Sequence, residues 1–169
     1  ATTAQIDANG AFIVEKMSVR SFTLEETARY SCNPRDILVV KSSGSATNII
    51  SGKAGLVSDD TGQFVFSNFL VRARPLPEHS ARYVYFLLRS SLTRSRVEKM
   101  CSTTTYPNLQ VGIYCSANLP VPPLREQREI AAYIGQRLDE IDSLVNQAGA
   151  LIALIGERRS ALISAAVTG

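Results

Sequence analysis

The sequence predicts an α+β chain. A globular part with a mixed, irregular β-sheet fills residues 1–119, and a proline hinge with one long C-terminal α-helix of coiled-coil type fills residues 120–169. Three observations lead there. Short β-branched runs bounded by glycine, serine and proline occupy the first two thirds of the chain. Leu119-Pro120-Val121-Pro122-Pro123 is a stiff segment that fits neither a strand nor a helix interior. Beyond it, from Arg125 to Val167, apolar residues recur in alternating steps of four and three.

Taken in order, residues 1–32 carry no motif that places them. Residues 36–41 have β-branched content in Ile37, Val39 and Val40 and run into the polar loop Ser42-Ser43-Gly44-Ser45, so a strand followed by a loop is expected. Residues 48–57 read as a second strand pair with glycine turns. Residues 63–66 and 68–73 alternate as strands do, and Pro75 and Pro77 end them. Ser80 is placed to cap a helix reaching Lys99, with Val84, Leu87, Leu88 and Ser91 as its apolar side. Arg82, Arg89 and Arg96 recur every seven residues and would share one face of it. Residues 111–115 read as a last strand before the hinge.

The long helix has a legible seam: Ile134, Leu138, Ile141, Val145, Ala148, Ile152, Ile155, Leu162 and Ala166, with Arg159 as the one polar interruption. Over residues 125–167 it would measure about 65 Å at 1.5 Å per residue. A small domain cannot cover a seam of that length, so a partner helix is expected. Gly135, Gly149 and Gly156 fall at one heptad position beside the seam. Each costs about 1 kcal/mol against alanine in a helix interior, which suggests a face where another backbone comes close. Leu144 and Leu151 widen the stripe on the other flank, so more than one neighbour is expected. The competing reading is an ordinary amphipathic helix packed on its own domain.

Composition excludes several classes. The chain has 169 residues, 45% of them apolar, enough for one domain with a core. No apolar run approaches the roughly 20 residues of a membrane span, and no signal peptide is visible. Cys32, Cys101 and Cys115 are an odd number without CxxC spacing, which points to a reducing, cytoplasmic setting rather than a disulfide framework or a zinc site. His79 is the sole histidine; nothing orients it toward a cysteine, so a Cys–His dyad is not favoured. There is no phosphate-loop motif, no metal-ligand cluster and no S-adenosylmethionine motif, and Asp59-Asp60 reads as a turn. A non-catalytic protein without cofactor or metal is expected.

The net charge of +3 is modest, but it is unevenly placed. Residues 1–124 hold thirteen Lys/Arg against nine Asp/Glu, and residues 125–169 hold five against six. Arg72, Arg74, Arg82, Arg89, Arg94, Arg96 and Lys99 are opposed only by Glu78 and Glu98 over that stretch. Such a local excess suits a nucleic-acid surface, where phosphate contacts supply much of the affinity. A solvated face is the plainer reading of the arginine helix, and the helix is also readable as scaffold. Two loops are candidates for base reading. The first, residues 41–53, offers Lys41, Ser42, Ser43, Ser45, Thr47, Asn48 and Lys53; the second, residues 102–110, offers Thr103, Thr104, Thr105, Tyr106 and Asn108. Turn chemistry explains the first equally well. In the second, Tyr106-Pro107 is alternatively a brace holding the loop against the core.

Four blocks along the helix carry a family resemblance: residues 119–131 (LPVPPLREQREIA), Asp139-Glu140-Ile141-Asp142, residues 157–163 (ERRSALI) and Ala166-Val167-Thr168-Gly169. Their order resembles the specificity subunit of type I restriction–modification systems. Residues 33–39 (NPRDILV) resemble the family's early strand motif and residues 103–109 (TTTYPNL) its late loop motif, with Asn33-Pro34 standing where the family often has a glycine. The family's subunit usually has two target-recognition domains and two long helices, whereas this chain has one of each. With no initiator methionine, it is expected to be a fragment, or a half-length subunit that completes itself by dimerising. The resemblance implies a module reading one half of a bipartite double-stranded DNA target. Its loops would contact bases, and Arg72, Arg74, Arg89 and Arg96 would contact phosphates. Its helix would pair antiparallel through Ile134, Leu138, Ile141, Val145, Ile152, Ile155 and Leu162, act as a ruler, and dock methyltransferase subunits and, through them, the restriction subunit. Methyl transfer and cleavage would belong to those other subunits. The alternative from a different class is an assembly protein whose coiled coil does the work and whose head binds protein.

Overall fold

The computed structural model describes the chain except Ala8, Ser43, Ala46, Thr47 and residues 102–107, together with the side chains of Gly44, Ser45, Asn48 and Ile49. The organising element is β1 (Ile37–Val40), four consecutive buried residues. All four are apolar because both faces of this central strand are covered. Ile37 and Val39 point into one cluster with Ala54, Tyr85, Leu88, Val97, Cys101 and Leu109. Leu38 and Val40 point into a second with Ile6, Cys32, Val57 and Leu70.

Around β1 the chain adds α1 (Leu24–Tyr30), the short strands β2 (Gly44–Ser45) and β3 (Asn48–Ile49), then β4 (Ala54–Leu56) and β5 (Leu70–Ala73). The main sheet has the order β4-β1-β5, with both pairs antiparallel. Ile37 lies opposite Leu56 on one side and Ala73 on the other. The two strands expected within residues 48–57 are therefore not partners. β3 pairs with β2 in a separate two-stranded ladder, and β4 joins the main sheet. Of residues 63–66, expected as a strand, Val65 forms a single bridge with Ser31. In the stretch that carried no motif, Thr23 caps α1 by accepting from the Glu26 N–H at 3.1 Å.

Helices α2 (Ala81–Arg89) and α3 (Ser91–Cys101) cover the first cluster. Ser80 caps α2 as expected, accepting from the Tyr83 N–H at 3.3 Å. The expected single helix to Lys99 is broken at Ser90, which is extended at ψ 155°. Its hydroxyl donates to the Leu87 carbonyl at 2.7 Å, and the Thr93 hydroxyl donates to the same carbonyl at 2.8 Å. Side-chain hydrogen bonds of this kind compete with the helical ladder. The break also changes the buried side. Ala81, Tyr83, Tyr85 and Leu88 are buried, whereas Ser91, expected inward, is exposed.

Residues 111–115 form a short helix, α4 (Val111–Cys115), rather than the expected strand. A five-residue apolar run cannot reveal its own periodicity, and here burial of Tyr114 against the first cluster decides the outcome. The burial also pushes the Tyr114 hydroxyl up to about 12.

The long helix is α5 (Leu124–Thr168), continuous for 45 residues. The chain divides into two compact units, Ala1–Arg128 and Glu129–Gly169. The first turn of α5 belongs to the first unit because Gln127 is buried there at 1% exposure. Its side-chain oxygen accepts from the Ser80 N–H at 2.9 Å, and its amide donates to the Pro122 carbonyl at 2.7 Å. Tyr83 adds a bond to the Pro120 carbonyl at 2.8 Å. Gln127→Ala strands these groups, so unfolding free energy is expected to fall by about 1–3 kcal/mol. A urea melt reads this directly, and an unchanged midpoint would mean that water replaces the glutamine without loss. No helix among the described residues is long and apolar enough to cross a membrane.

Candidate nucleic-acid interface

The two candidate recognition segments share a root. The first leaves the sheet at Lys41, whose N–H donates to the Phe69 carbonyl at 2.8 Å. It returns at Gly52 and Lys53, both bonded to Val40: Gly52 N–H to the Val40 carbonyl at 2.7 Å, and Val40 N–H to the Lys53 carbonyl at 2.8 Å. The excursion thus opens at Lys41 and closes on its neighbour Val40, the last residue of the central strand. Between them, β2 and β3 pair antiparallel with Ser45 opposite Asn48. Gly52 makes the return with φ +80°, and a Cβ there would meet both Val97 methyls at 2.8 Å. Only glycine combines that backbone with that clearance.

The second segment rejoins the described chain at Asn108. Asn108 bridges Ser42 in antiparallel fashion, and the Leu109 N–H donates to the Lys41 carbonyl at 2.7 Å. Both segments therefore emerge side by side at the end of β1. Ser43, Thr47, Thr103, Thr104, Thr105 and Tyr106, named as base-reading candidates, lie outside the described residues. Of Ser45 and Asn48 only the backbone is described.

The cations are more committed than their number suggests. Lys41 is exposed. Lys53 donates to the Ile6 carbonyl at 2.7 Å. Arg72 donates to the Ser31 carbonyl at 2.5 Å and lies over the Phe66 ring. Arg89 bonds to the Asn9 carbonyl and the Tyr85 hydroxyl, and Arg96 to the Asn118 carbonyl at 2.7 Å. Neutral acceptors fix these side chains without cancelling their charge. Arg74 differs, because it forms a two-point ion pair with buried Asp36, at 2.6 and 2.8 Å. It is half exposed, yet its charge is largely answered within the fold. The helix break at Ser90 also puts Arg82 and Arg89 on α2 but Arg96 on α3, so the expected stripe on one continuous helix does not form.

Three cations do converge. Lys53, Arg89 and Arg94 line a cleft of about 270 Å³ together with Ile50, Gly52, Ala54 and Leu88. Arg94 is tied to the Ser51 carbonyl at 2.9 Å and to Glu98 at 2.9 Å. Sequence reading had counted Arg94 only as part of a basic run. It missed Asp36 and Gln127 as anchors, since their partners lie 38 and 47 residues away.

The thiol–imidazole reading loses two of its three thiols. Burial, reinforced by the Asp36 charge, pushes the Cys32 thiol up to about 12, and burial raises Cys101 as well. Neither is a thiolate near neutral pH. His79 Nδ1 faces the Gln127 amide at 3.4 Å.

The family model for the type I restriction modification DNA specificity domain matches residues 4–150, taking in the first unit and the start of the second. The chain belongs to this family. Among curated relatives of this specificity-domain chain, the type I restriction enzyme StySPI specificity subunit of Salmonella potsdam is 25% identical over 137 residues, covering 81% of this chain and 29% of that protein. The EcoKI specificity subunit of Escherichia coli (strain K12) is 26% identical over 137 residues, with the same shares of 81% and 29%. The chain thus spans less than a third of the length of these relatives. A chain from a solved structure concerned with complex assembly and conformational transition of the type I R-M system shares the fold, with a TM-score of 0.51 at 21% identity over 68% of this chain and 26% of that one.

Proposed function

We propose that this chain is a non-catalytic, sequence-specific DNA-recognition module that reads one half of a bipartite target within a type I restriction–modification complex. The common root of the two polar segments, joined by the Ser42–Asn108 bridge, carries the reading geometrically. A recognition surface must present several short polar side chains to base edges at once, and segments fixed to one strand end can do so. Membership of a DNA specificity family across residues 4–150 supports the same assignment.

In this reading residues 1–119 form the recognition domain, and residues 120–169 the hinge and spacer helix. Side chains of residues 41–53 and 102–110 contact bases. Lys41, Lys53, Arg72, Arg89 and Arg96 contact or steer phosphates. Arg74, engaged by Asp36, braces the sheet instead. The long helix pairs with a second helix and docks methyltransferase subunits, which supply the chemistry and link to the restriction subunit in the cytoplasm. No cofactor is held by this chain.

Binding selection on randomised duplex DNA tests the reading. Thr104→Ala is expected to relax preference at a defined base pair, since a good base contact is worth about 1–3 kcal/mol of discrimination. Lys41→Ala, measured alongside, is expected to weaken binding on all sequences and lower the salt slope by about 1. An unchanged preference in the Thr104 variant would remove its loop from the recognition surface. Absence of salt-dependent binding by the native chain would remove the proposal altogether.

A further inference from the structure

The return of the first polar segment helps to line a cationic cleft. Lys53, Arg89 and Arg94 share it with the apolar Ile50, Ala54 and Leu88, around about 270 Å³. We infer that this cleft holds a single sugar–phosphate unit, with the three cations converging on one phosphate and the apolar side chains against the sugar. This rests on DNA recognition by the first unit, proposed above, which supplies the sugar–phosphate as part of a duplex backbone. It adds that three cations serve one phosphate, and it brings in Arg94.

The break between the two helices makes the convergence possible. Arg89 is the last residue of α2, Arg94 stands in the first turn of α3, and Ser90 is extended between them. On one continuous helix, residues five apart point about 140° away from each other, so one small ligand could not meet both. The Ser90 and Thr93 hydroxyls, both donating to the Leu87 carbonyl, fix the break. Lys53 is supplied by the chain entering β4.

Each cation is held by a main-chain carbonyl. Lys53 donates to Ile6 at 2.7 Å, Arg89 to Asn9, and Arg94 to Ser51 at 2.9 Å. One carbonyl does not use up the three donors of an ammonium or the five of a guanidinium. Long side chains fixed before a ligand arrives lose little rotamer freedom on binding it. Glu98 also bonds Arg94, at 2.9 Å, but its side chain is 53% exposed. Water screens such a pair, so a phosphate can displace the carboxylate.

The apolar part decides what accompanies the charge. Ala54 and Leu88 are buried beside the cations. A bare anion gains nothing from them, whereas the C–H groups of a sugar do. The volume lies below the roughly 300–1,000 Å³ of sites for drug-sized molecules, too small for a dinucleotide cofactor and suited to one nucleotide unit.

Salt dependence in the full chain tests the sharing. On duplex DNA the logarithm of affinity falls with the logarithm of salt by about 0.9 for each phosphate neutralised. The chain carrying Lys53→Gln, Arg89→Gln and Arg94→Gln together is therefore expected to lose about 1 from that slope. A loss of about 3 would mean three separate phosphates and overturn the inference. Circular dichroism checks that this variant is folded. Glu98→Gln carries the opposite sign, which a damaged fold cannot imitate. It is expected to tighten binding on every sequence by up to about fivefold, and to do nothing in an Arg94→Gln background. No gain, or the same gain in that background, would take Arg94 away from the phosphate.

Titration of the native chain with thymidine 5′-monophosphate, read by NMR at the Gly52 and Ala54 amides, separates the sources. Shifts that vanish in the triple variant, with its duplex slope unchanged, would assign the cleft to a free nucleotide and overturn its place on the backbone. Equal shifts with inorganic phosphate would remove the sugar. Lys41→Ala, outside the cleft, keeps the two proposals apart. If it lowers the slope while the triple variant does not and the nucleotide moves no amide, the cleft inference fails and the recognition reading stands. If the native chain binds duplex without salt dependence while the nucleotide shifts the amides, the recognition reading fails and the cleft stands as a nucleotide site.

Discussion

Asp36→Ala is expected to lower the unfolding free energy by about 2–4 kcal/mol, the range for breaking a buried ion pair discounted for an exposed partner. The carboxylate is 1% exposed. It accepts from Arg74 at 2.6 and 2.8 Å and from the Asn33 N–H at 2.8 Å. Removing it strands a backbone donor at the entrance to β1 and leaves Arg74 alone above the sheet. Arg74 can turn to water, since its side chain is 51% exposed, which sets the loss toward the lower end. Burial alone would raise this carboxyl. The Arg74 and Asn33 hydrogen bonds, with the charges of Arg74 and Arg72, outweigh burial and hold it below its ordinary value of 3.8. A group depressed in the folded state stabilises fully above its unfolded value and loses that contribution as pH falls through the folded one. Native stability should therefore drop on acidification below the ordinary aspartate range, and the Asp36→Ala chain should show a shallower drop. Identical acid slopes would assign the pH dependence to other carboxylates.

The chain carrying Ile141→Asp and Ile152→Asp together is expected to stay monomeric at every concentration where the native chain associates. Both residues are more than half exposed on a single chain, so the substitutions cost that chain little. In a paired helix they place carboxylates in the interior, where an unpaired charge costs several kcal/mol. Light scattering reads the mass, and thermal unfolding reads the integrity of the first unit, which should not move. A native mass in this variant would refute the seam.

The elements that could be read from sequence are those in which pattern and burial coincide. β1 shows a four-residue apolar run because it is covered on both sides, and α5 shows its heptads because the helix runs unbroken for 45 residues with Arg159 as the one polar interruption of the seam. The Ser80 cap was legible for the same reason: the hydroxyl sits next to the turn it serves. What was hidden depends on long-range partners or on a close contest between local patterns. The helical state of Val111–Cys115 is set by where Tyr114 packs, and the break at Ser90 by a choice between two local hydrogen-bonding patterns. For the interface, the sign and excess of charge were legible. Which arginines are held by carbonyls and which by a carboxylate was not, because Ser31, Asn9 and Asp36 lie dozens of residues from their guanidiniums.

The Ser42–Asn108 bridge ties the start of one polar segment to the end of the other. Lengthening or retyping one of them displaces the root on which the other stands. Altered specificity should therefore not accumulate loop by loop. Transplanting residues 41–53 alone from a relative would place foreign side chains on a root shaped for a different neighbour, and the preference obtained would match neither parent. On the proposed recognition reading, the smallest transferable package of binding preference would be the pair of segments together with the end of β1 beside which they meet.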